Sequence, residues 1–385
     1  MERAGLTPQV AADTSDLAGL VKTPGPFLTL QLTTEADIDN AAQRSEQRWR
    51  ALRDDAATQG TPEEVLGVVD PLIAGAHLEG QGLAVVATAA GVVHEEHGGR
   101  EPDRDLVRWA PLPSLAQVIA WRQELPGYVT VLADRQGADL TGYRRQGPSG
   151  PGSGVDGPEV QRQAGGDDYP IRKPNAGGWS QRRYQERAEN TWERNAADVA
   201  DQVVKLARRV DARLVVAAGD ERAVTMLREA LPAELVDRFQ VVSGGRSPDG
   251  SEQSFQEAAR IAVGLAVNAD TDALLEKFRE ERGQADRAAE GPEAILNALA
   301  MAAVDVLLLA PDDPDDARTA WFGPDPTQLA LREDDLRGLG VEDPADGRLV
   351  DVAVRAALGT GAGIRIVEPG AGVDGGMGAI LRWSS

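Results

Sequence analysis

Four short stretches of this 385-residue chain hold residue types whose spacing invites chemistry. The most informative runs Arg172-Lys173-Pro174-Asn175-Ala176-Gly177-Gly178-Trp179-Ser180-Gln181-Arg182-Arg183-Tyr184. A glycine pair lets a backbone approach a partner more closely than any other residue type. A helix starting behind it presents free N–H groups and a positive dipole end, which suit a phosphate or a carbonyl oxygen. Trp179 can stack on a base. Arg172, Lys173, Arg182, Arg183 and Arg187 stand against only Glu186 between positions 172 and 187. The plainer reading is a glycine turn ahead of an ordinary helix, with Trp179 packed down on it. On local physics alone that turn is the better reading.

The other three stretches carry less. His94-Glu95-Glu96-His97 invites a metal, but its spacing is not that of the helical zinc-protease motif. Only His77 remains as a further histidine, so the stretch reads as a solvated loop after a strand end. Gly359-Thr360-Gly361-Ala362-Gly363 follows a helix and precedes a strand. A phosphate loop needs the reverse order, so the expected job is capping the preceding helix. Asp312, Asp313, Asp315 and Asp316 lack the Gly and terminal Glu of a calcium loop. They read as a solvated acidic loop or a docking surface for a basic partner. No Ser/His/Asp triad is legible, no catalytic residue is assigned, and neither a metal nor a cofactor is expected.

These stretches sit on alternating helices and strands. Pro26–Leu32 predicts a strand, Glu35–Thr58 a helix capped by Thr34, and Pro62–His77 a second helix. Gly82–Thr88 and Gly91–His94 predict a hairpin turning at Ala89-Ala90. Two prolines in Ala110–Ser114 mark a boundary, followed by a short helix over Leu115–Glu124. Strands at Tyr128–Asp134 and Ala138–Tyr143 then lead into Gln146–Asp168, rich in Gly, Pro and Ser, which reads as a long mobile loop. The helix expected from Ser180 to about Val210 carries an apolar stripe through Tyr184, Ala188, Trp192, Ala196, Val199, Val203, Leu206 and Val210. Arg183, Arg187 and Arg194 fall within about 40° of one another on roughly the opposite face. Strand, helix, strand over Arg213–Ser243 predicts a parallel or mixed sheet. Beyond it come a helix over Phe255–Arg282, broken near Asn268, a helix over Gly291–Ala303 and a strand over Val304–Leu309. An acidic insertion spans Pro311–Asp346, a helix Leu349–Leu358, and the last strands Gly363–Val367 and Met377–Trp383.

Composition bounds the setting. The chain is long enough for two or three domains. It has no cysteine, which excludes a disulfide framework, a thiolate metal site and a cysteine nucleophile, and fits a reducing compartment. Met1–Leu20 holds Glu2, Asp13 and Asp16 and has no secretory apolar run. No stretch approaches the roughly 20 apolar residues of a membrane span. A cytoplasmic protein without membrane contact is expected. A net charge of −22 argues at first against nucleic acid, and no DNA partner is expected, although a local basic face can hide within such a sum.

An α/β chain whose middle part holds a long Gly-rich loop ending in Gly-Gly, then a basic-faced helix, resembles the archaeo-eukaryotic class 1 peptide chain release factor and Pelota superfamily. The likeness is to its bacterial branch, which includes mycobacterial members and the hibernation factor Balon. The resemblance implies three consecutive α/β domains in a release factor/Pelota-like arrangement. Their bounds would be 1–110, a linker helix over 111–125, a middle domain over 126–254, and a ribosomal-protein-like domain over 255–385. In release factors the loop carries Gly-Gly-Gln, and the glutamine helps place water at the peptidyl-tRNA ester. Here Trp179 takes its place. The Asn-Ile-Lys-Ser loop and the Tyr-x-Cys motif of stop-codon readers are absent as well.

The resemblance therefore implies a ribosome-binding factor in the aminoacyl site, acting in hibernation or stress protection without decoding. Gly177, Gly178, Trp179, Arg182, Arg183 and Arg187 would form the rRNA-binding tip, supported by Arg172, Lys173 and Arg194. A translational GTPase such as elongation factor Tu is the partner implied for the third domain. Two alternatives stay open: a peptidyl-tRNA hydrolase or rescue factor working without the glutamine, and a stress regulator that never meets the ribosome.

Overall fold

The computed structural model describes residues 14–34, 40–73, 81–124, 126–134, 137–144, 160–165, 178–244, 251–284, 286–310 and 318–383, without the side chains of 160–165, 178–193 and 251–252. The fold is mixed α/β, as expected. The described residues fall into two compact units, one of those up to Glu124 together with those from Ala269 onward, the other of those between.

The first unit opens with α1 (Ser15–Leu20), β1 (Phe27–Thr33), α2 (Ala41–Thr58) and α3 (Glu63–Ile73). It continues with β2 (Gly82–Thr88), β3 (Gly91–Gly98), β4 (Leu106–Ala110) and α4 (Ala116–Glu124). The antiparallel sheet runs β3-β2-β1-β4. Leu28, Leu30 and Leu32 alternate onto one face of β1 and pack with Trp49, Val65, Leu66 and Val69 of the two helices. The other face of β1 carries Phe27, Thr29, Gln31 and Thr33, and these too are buried. An alternating pattern suggests one wet face. Here the polar face is covered as well, and Thr29 Oγ1 accepts the Ser114 N–H at 3.1 Å.

Two expectations fail in this stretch. Thr34 is not the cap of α2: Asn40, an equally good cap type, holds the non-helical backbone before Ala41 (φ −122°, ψ 25°). Strand β4 is missing from the sequence reading because Leu106-Val107-Arg108-Trp109-Ala110 is short and interrupted by an arginine. Backbone pairing to β1 specifies it instead.

The second unit holds β5 (Tyr128–Ala133), β6 (Gly137–Tyr143), β7 (Val160–Gly165) and α5 (Gly178–Arg209). After them come β8 (Leu214–Gly219), α6 (Glu221–Ala230), α7 (Ala233–Val236), β9 (Phe239–Val241) and the start of α8 (Ser251–Gly283). The sheet order is β7-β6-β5-β8-β9, with β5, β8 and β9 parallel and β6 and β7 antiparallel, the mixed sheet expected. One face packs on α5 and α6 through Val129, Val131, Leu140, Val215 and Ala217. The other packs on Phe255, Ala259, Ala262 and Val263 of α8. Strand β7 overturns part of the long-loop reading: its polar sequence gives no periodic signal, and it is held by its ladder to β6. Helix α8 runs unbroken through Asn268, since asparagine is a weak helix former but no breaker.

The first unit resumes with β10 (Ala288–Glu290), α9 (Pro292–Ala300), β11 (Val304–Leu309), β12 (Thr319–Phe322) and β13 (Leu329–Ala330). It ends with α10 (Glu333–Gly338), β14 (Ala345–Arg348), α11 (Leu349–Thr360), β15 (Gly363–Ile366) and β16 (Met377–Leu381). The main sheet here runs β10-β16-β11-β15, and β11 and β15 are parallel. The acidic stretch expected to be a water-facing insertion contains a small sheet, β13-β12-β14, whose Ala320, Phe322 and Leu329 join the core. Every residue from Leu349 to Leu358 in α11 is buried, and its core is shared with Phe27, Leu112 and Trp121.

Candidate functional site

Helix α5 carries the expected tip. Its second half is pinned to the sheet by Val199, Val203, Leu206 and Val210, the lower part of the predicted apolar stripe. Two glycines allow the close approach. A Cβ on Gly142 would lie 2.7 Å from Leu206 Cδ1, and one on Gly127 would lie 2.2 Å from the Val210 carbonyl oxygen. At 1.5 Å per residue, the helix is about 48 Å long and its first residue stands about 32 Å along the axis from Val199.

The helix begins at Gly178, so Ser180 is not its cap as expected, and Trp179 stands in the first turn. Glycine costs a helix only about 1 kcal/mol relative to alanine, and neither residue bars a helical backbone. Gly178, Trp179, Arg182, Arg183 and Arg187 thus share one helical segment. By position, Arg183 and Arg187 stand about 160° around the axis from Val199 and Val203. Arg194 is exposed on the same helix. Gly177, Arg172 and Lys173 lie outside the described residues. Near the middle of α5, Asn195 and Val199 line a small pocket with Asp134, Arg222, Met226 and Leu227. Its volume of about 30 Å³ suits no substrate.

The His94–His97 stretch is not a solvated loop. It lies inside β3, paired with Leu83–Val86 of β2, and His94, Glu96 and His97 are buried. Glu96 is fully buried and receives Arg122 Nε at 3.1 and 3.0 Å and Nη2 at 2.7 Å. Arg122 also donates to Asp16, Nη1 at 2.6 Å and Nη2 at 2.8 Å. His94 Nε2 lies 3.2 Å from Glu96 Oε2. Burial pulls the Arg122 guanidinium toward its neutral form, but its bonds to Asp16 and Glu96 outweigh this and hold it above the ordinary arginine value. Burial likewise pushes Asp16 up, yet the Arg122 bonds leave it below the usual carboxylate range. The charges that look like a wet loop are neutralised by an arginine 26 positions later. The missed signal is Arg122 itself, directly after the apolar run Val118-Ile119-Ala120-Trp121.

Among the described residues no three His, Asp or Glu side chains gather as a metal set. The glycine run at 359–363 behaves as expected, with Gly361 closing α11 in the left-handed region at φ 70°. Asp312, Asp313, Asp315, Asp316 and His77 lie outside the described residues. No helix of the described residues is long and apolar enough to cross a membrane.

Comparison with known proteins adds a likeness centred on the middle segment. The family model for bacterial archaeo-eukaryotic release factor family 2 matches residues 127–284, the segment that contains α5. Two uncharacterized Mycobacterium tuberculosis proteins, MT2704 and Rv2629, are each 26% identical over 377 residues, covering 96% of both chains. Among solved structures, the archaeal translation termination factor aRF1 aligns at 14% identity over 96% of this chain and 97% of its own, with a TM-score of 0.24. Pelota of Archaeoglobus fulgidus aligns at 16% identity over 78% and 80%, with a TM-score of 0.31. A model of ribosome-bound archaeal Pelota and ABCE1 aligns at 13% over 97% and 96%, with a TM-score of 0.40. Over that middle segment, less than half of its length, the chain is similar to bacterial archaeo-eukaryotic release factors.

Proposed function

We propose that this chain is a translation factor that binds the ribosome in the aminoacyl site and protects it in hibernation or stress, without decoding a stop codon. One observation carries the reading: the release-factor family match spans the segment in which Trp179, and not glutamine, follows the glycine pair at the head of α5. In this reading Gly177, Gly178 and Trp179 reach the peptidyl-transferase region. Arg182, Arg183 and Arg187 meet rRNA phosphates, with Arg172, Lys173 and Arg194 in support. An indole stacks and plugs, and its single N–H donor is a poor substitute for a glutamine amide in placing water. The acidic part of the C-terminal region is the surface offered to a translational GTPase such as elongation factor Tu, and the cytoplasm is the setting.

Co-sedimentation of the full chain with ribosomes at graded salt tests the proposal. Binding at low salt that falls steeply as salt rises is the expected result, because phosphate contacts release counterions. Trp179→Ala should weaken pelleting and leave the unfolding midpoint unchanged. Absence of pelleting even at low salt overturns the reading. The family's name favours a second reading, peptide release. Labelled peptide released from loaded ribosomes by the wild-type chain would support that reading, whereas activity confined to Trp179→Gln supports the first.

A further inference from the structure

A second buried acid lies in the first unit, and its charge is incompletely matched. Asp351, in the first turn of α11, is 3% exposed. Its Oδ2 accepts the Ser114 hydroxyl at 3.0 Å, and Arg348 Nη1 lies 3.7 Å from the same oxygen. Its Oδ1 has no hydrogen-bond partner among the described residues. Gln117 of α4, 8% exposed, accepts the Asp103 N–H on Oε1 at 3.3 Å, while its Nε2 has no partner among the described residues. An unmatched buried acceptor and an unmatched buried donor each cost free energy, and native folds rarely keep them without a reason.

Both side chains line one pocket of about 70 Å³, together with Gln31, Asp103, Arg104 and Arg348. At about 10–15 Å³ of cavity space for each water-sized group, that space holds roughly five to seven heavy atoms. A nucleotide or a peptide is too large. A simple anion would face Asp351 and Asp103, and a metal cation would face Arg104 and Arg348. The lining pairs a carboxylate oxygen with amide and guanidinium donors, which is the complement of a molecule carrying both charges.

We propose that this pocket binds a small α-amino acid, its ammonium on Asp351 Oδ1 and its carboxylate toward Gln117 Nε2, Arg104 and Arg348. The site is independent of the ribosome reading. Burial raises Asp351 to about 6 against the opposing pull of Arg348, Ser114 and Arg108, so an ammonium partner supplies the charge it lacks. The groups facing Asp351 are Arg348 beside it on the chain, Ser114 and Gln117 at α4, Arg108 of β4, and Arg104 and Asp103 just before β4.

The test is calorimetric titration of the full chain with glycine, alanine and serine, and with inorganic phosphate as the anion control. At pH 7.5 at least one of the three amino acids should bind and phosphate should not. Affinity should drop roughly tenfold or more in Asp351→Asn, in Gln117→Ala, and at pH 5, where Asp351 is mostly protonated. Gln117→Ala keeps the test decisive if Asp351→Asn fails to fold. The inference is overturned if none of the three binds, if the variants bind as tightly as wild type, or if phosphate binds and Asp351→Asn strengthens it.

Discussion

Arg122 and Asp351 are both buried charges in the same unit, and the surroundings treat them in opposite ways. Arg122 has two carboxylates on its guanidinium, Glu96 and Asp16, and their hydrogen bonds hold its charge against burial. Asp351 has one hydroxyl and one arginine at 3.7 Å on the same oxygen, and burial wins. A saturated cluster ties elements together: Arg122 joins α4, β3 and α1. An undersaturated one keeps a polar group waiting for a partner, and local incompleteness of this kind is where function concentrates.

The contrast can be broken by removing one partner at a time. Arg122→Met strips the fully buried Glu96 carboxyl of its arginine and leaves it His94 Nε2 at 3.2 Å. It should cost about 3–5 kcal/mol, read from urea unfolding, and a loss under 1 kcal/mol would mean the cluster does not tie the unit together. Asp351→Asn should do the reverse at pH 7.5, raising stability by about 1–3 kcal/mol, because a carboxyl whose native pKa stands at about 6 against 3.8 is penalised once both states ionise. The sign follows from proton binding. Between about pH 4 and pH 6 the folded state holds a proton that the unfolded state has lost, so stability falls as pH rises through that window. The variant's advantage should therefore vanish near pH 4. Asp16 runs the other way: its lowered pKa adds stability above the unfolded value that is lost as pH falls through the folded one. Ser114→Ala, which strips a bonded oxygen from Asp351, should cost about 1 kcal/mol and move the window to higher pH. Arg332→Ala is the control, since its pair with Asp335 is fully exposed and its loss should leave the unfolding midpoint where it was.

Strands β1, β2, β5, β8 and β11 are legible in the sequence because their apolar runs are sufficient by themselves. The second half of α5 is legible for the same reason. Its stripe of Val199, Val203, Leu206 and Val210 has a period that only a helix satisfies. The failures share a different cause. Strand β7 and the Glu96 cluster are polar stretches ordered by partners distant in sequence, and no local pattern records the partner. Asp351 is invisible for that reason too: Ser114 stands 237 positions before it. The tip at Gly178–Trp179 is recognisable only through likeness to a family, since its residue types fit a turn equally well.

The burial of both faces of β1 sets an order of events during synthesis. Its leucine face can close over α2 and α3 as soon as they emerge. Its threonine face meets Ser114 and α4 early as well, but the Ser114 hydroxyl waits for Asp351 of α11. At about 5–20 residues per second, the 237 residues between Ser114 and Asp351 take roughly 10–50 s to appear. The middle sheet and α5 are complete before then. The nascent chain thus carries a finished middle segment while α4 on its first sheet still lacks α11, and the last hundred residues close what the first hundred began.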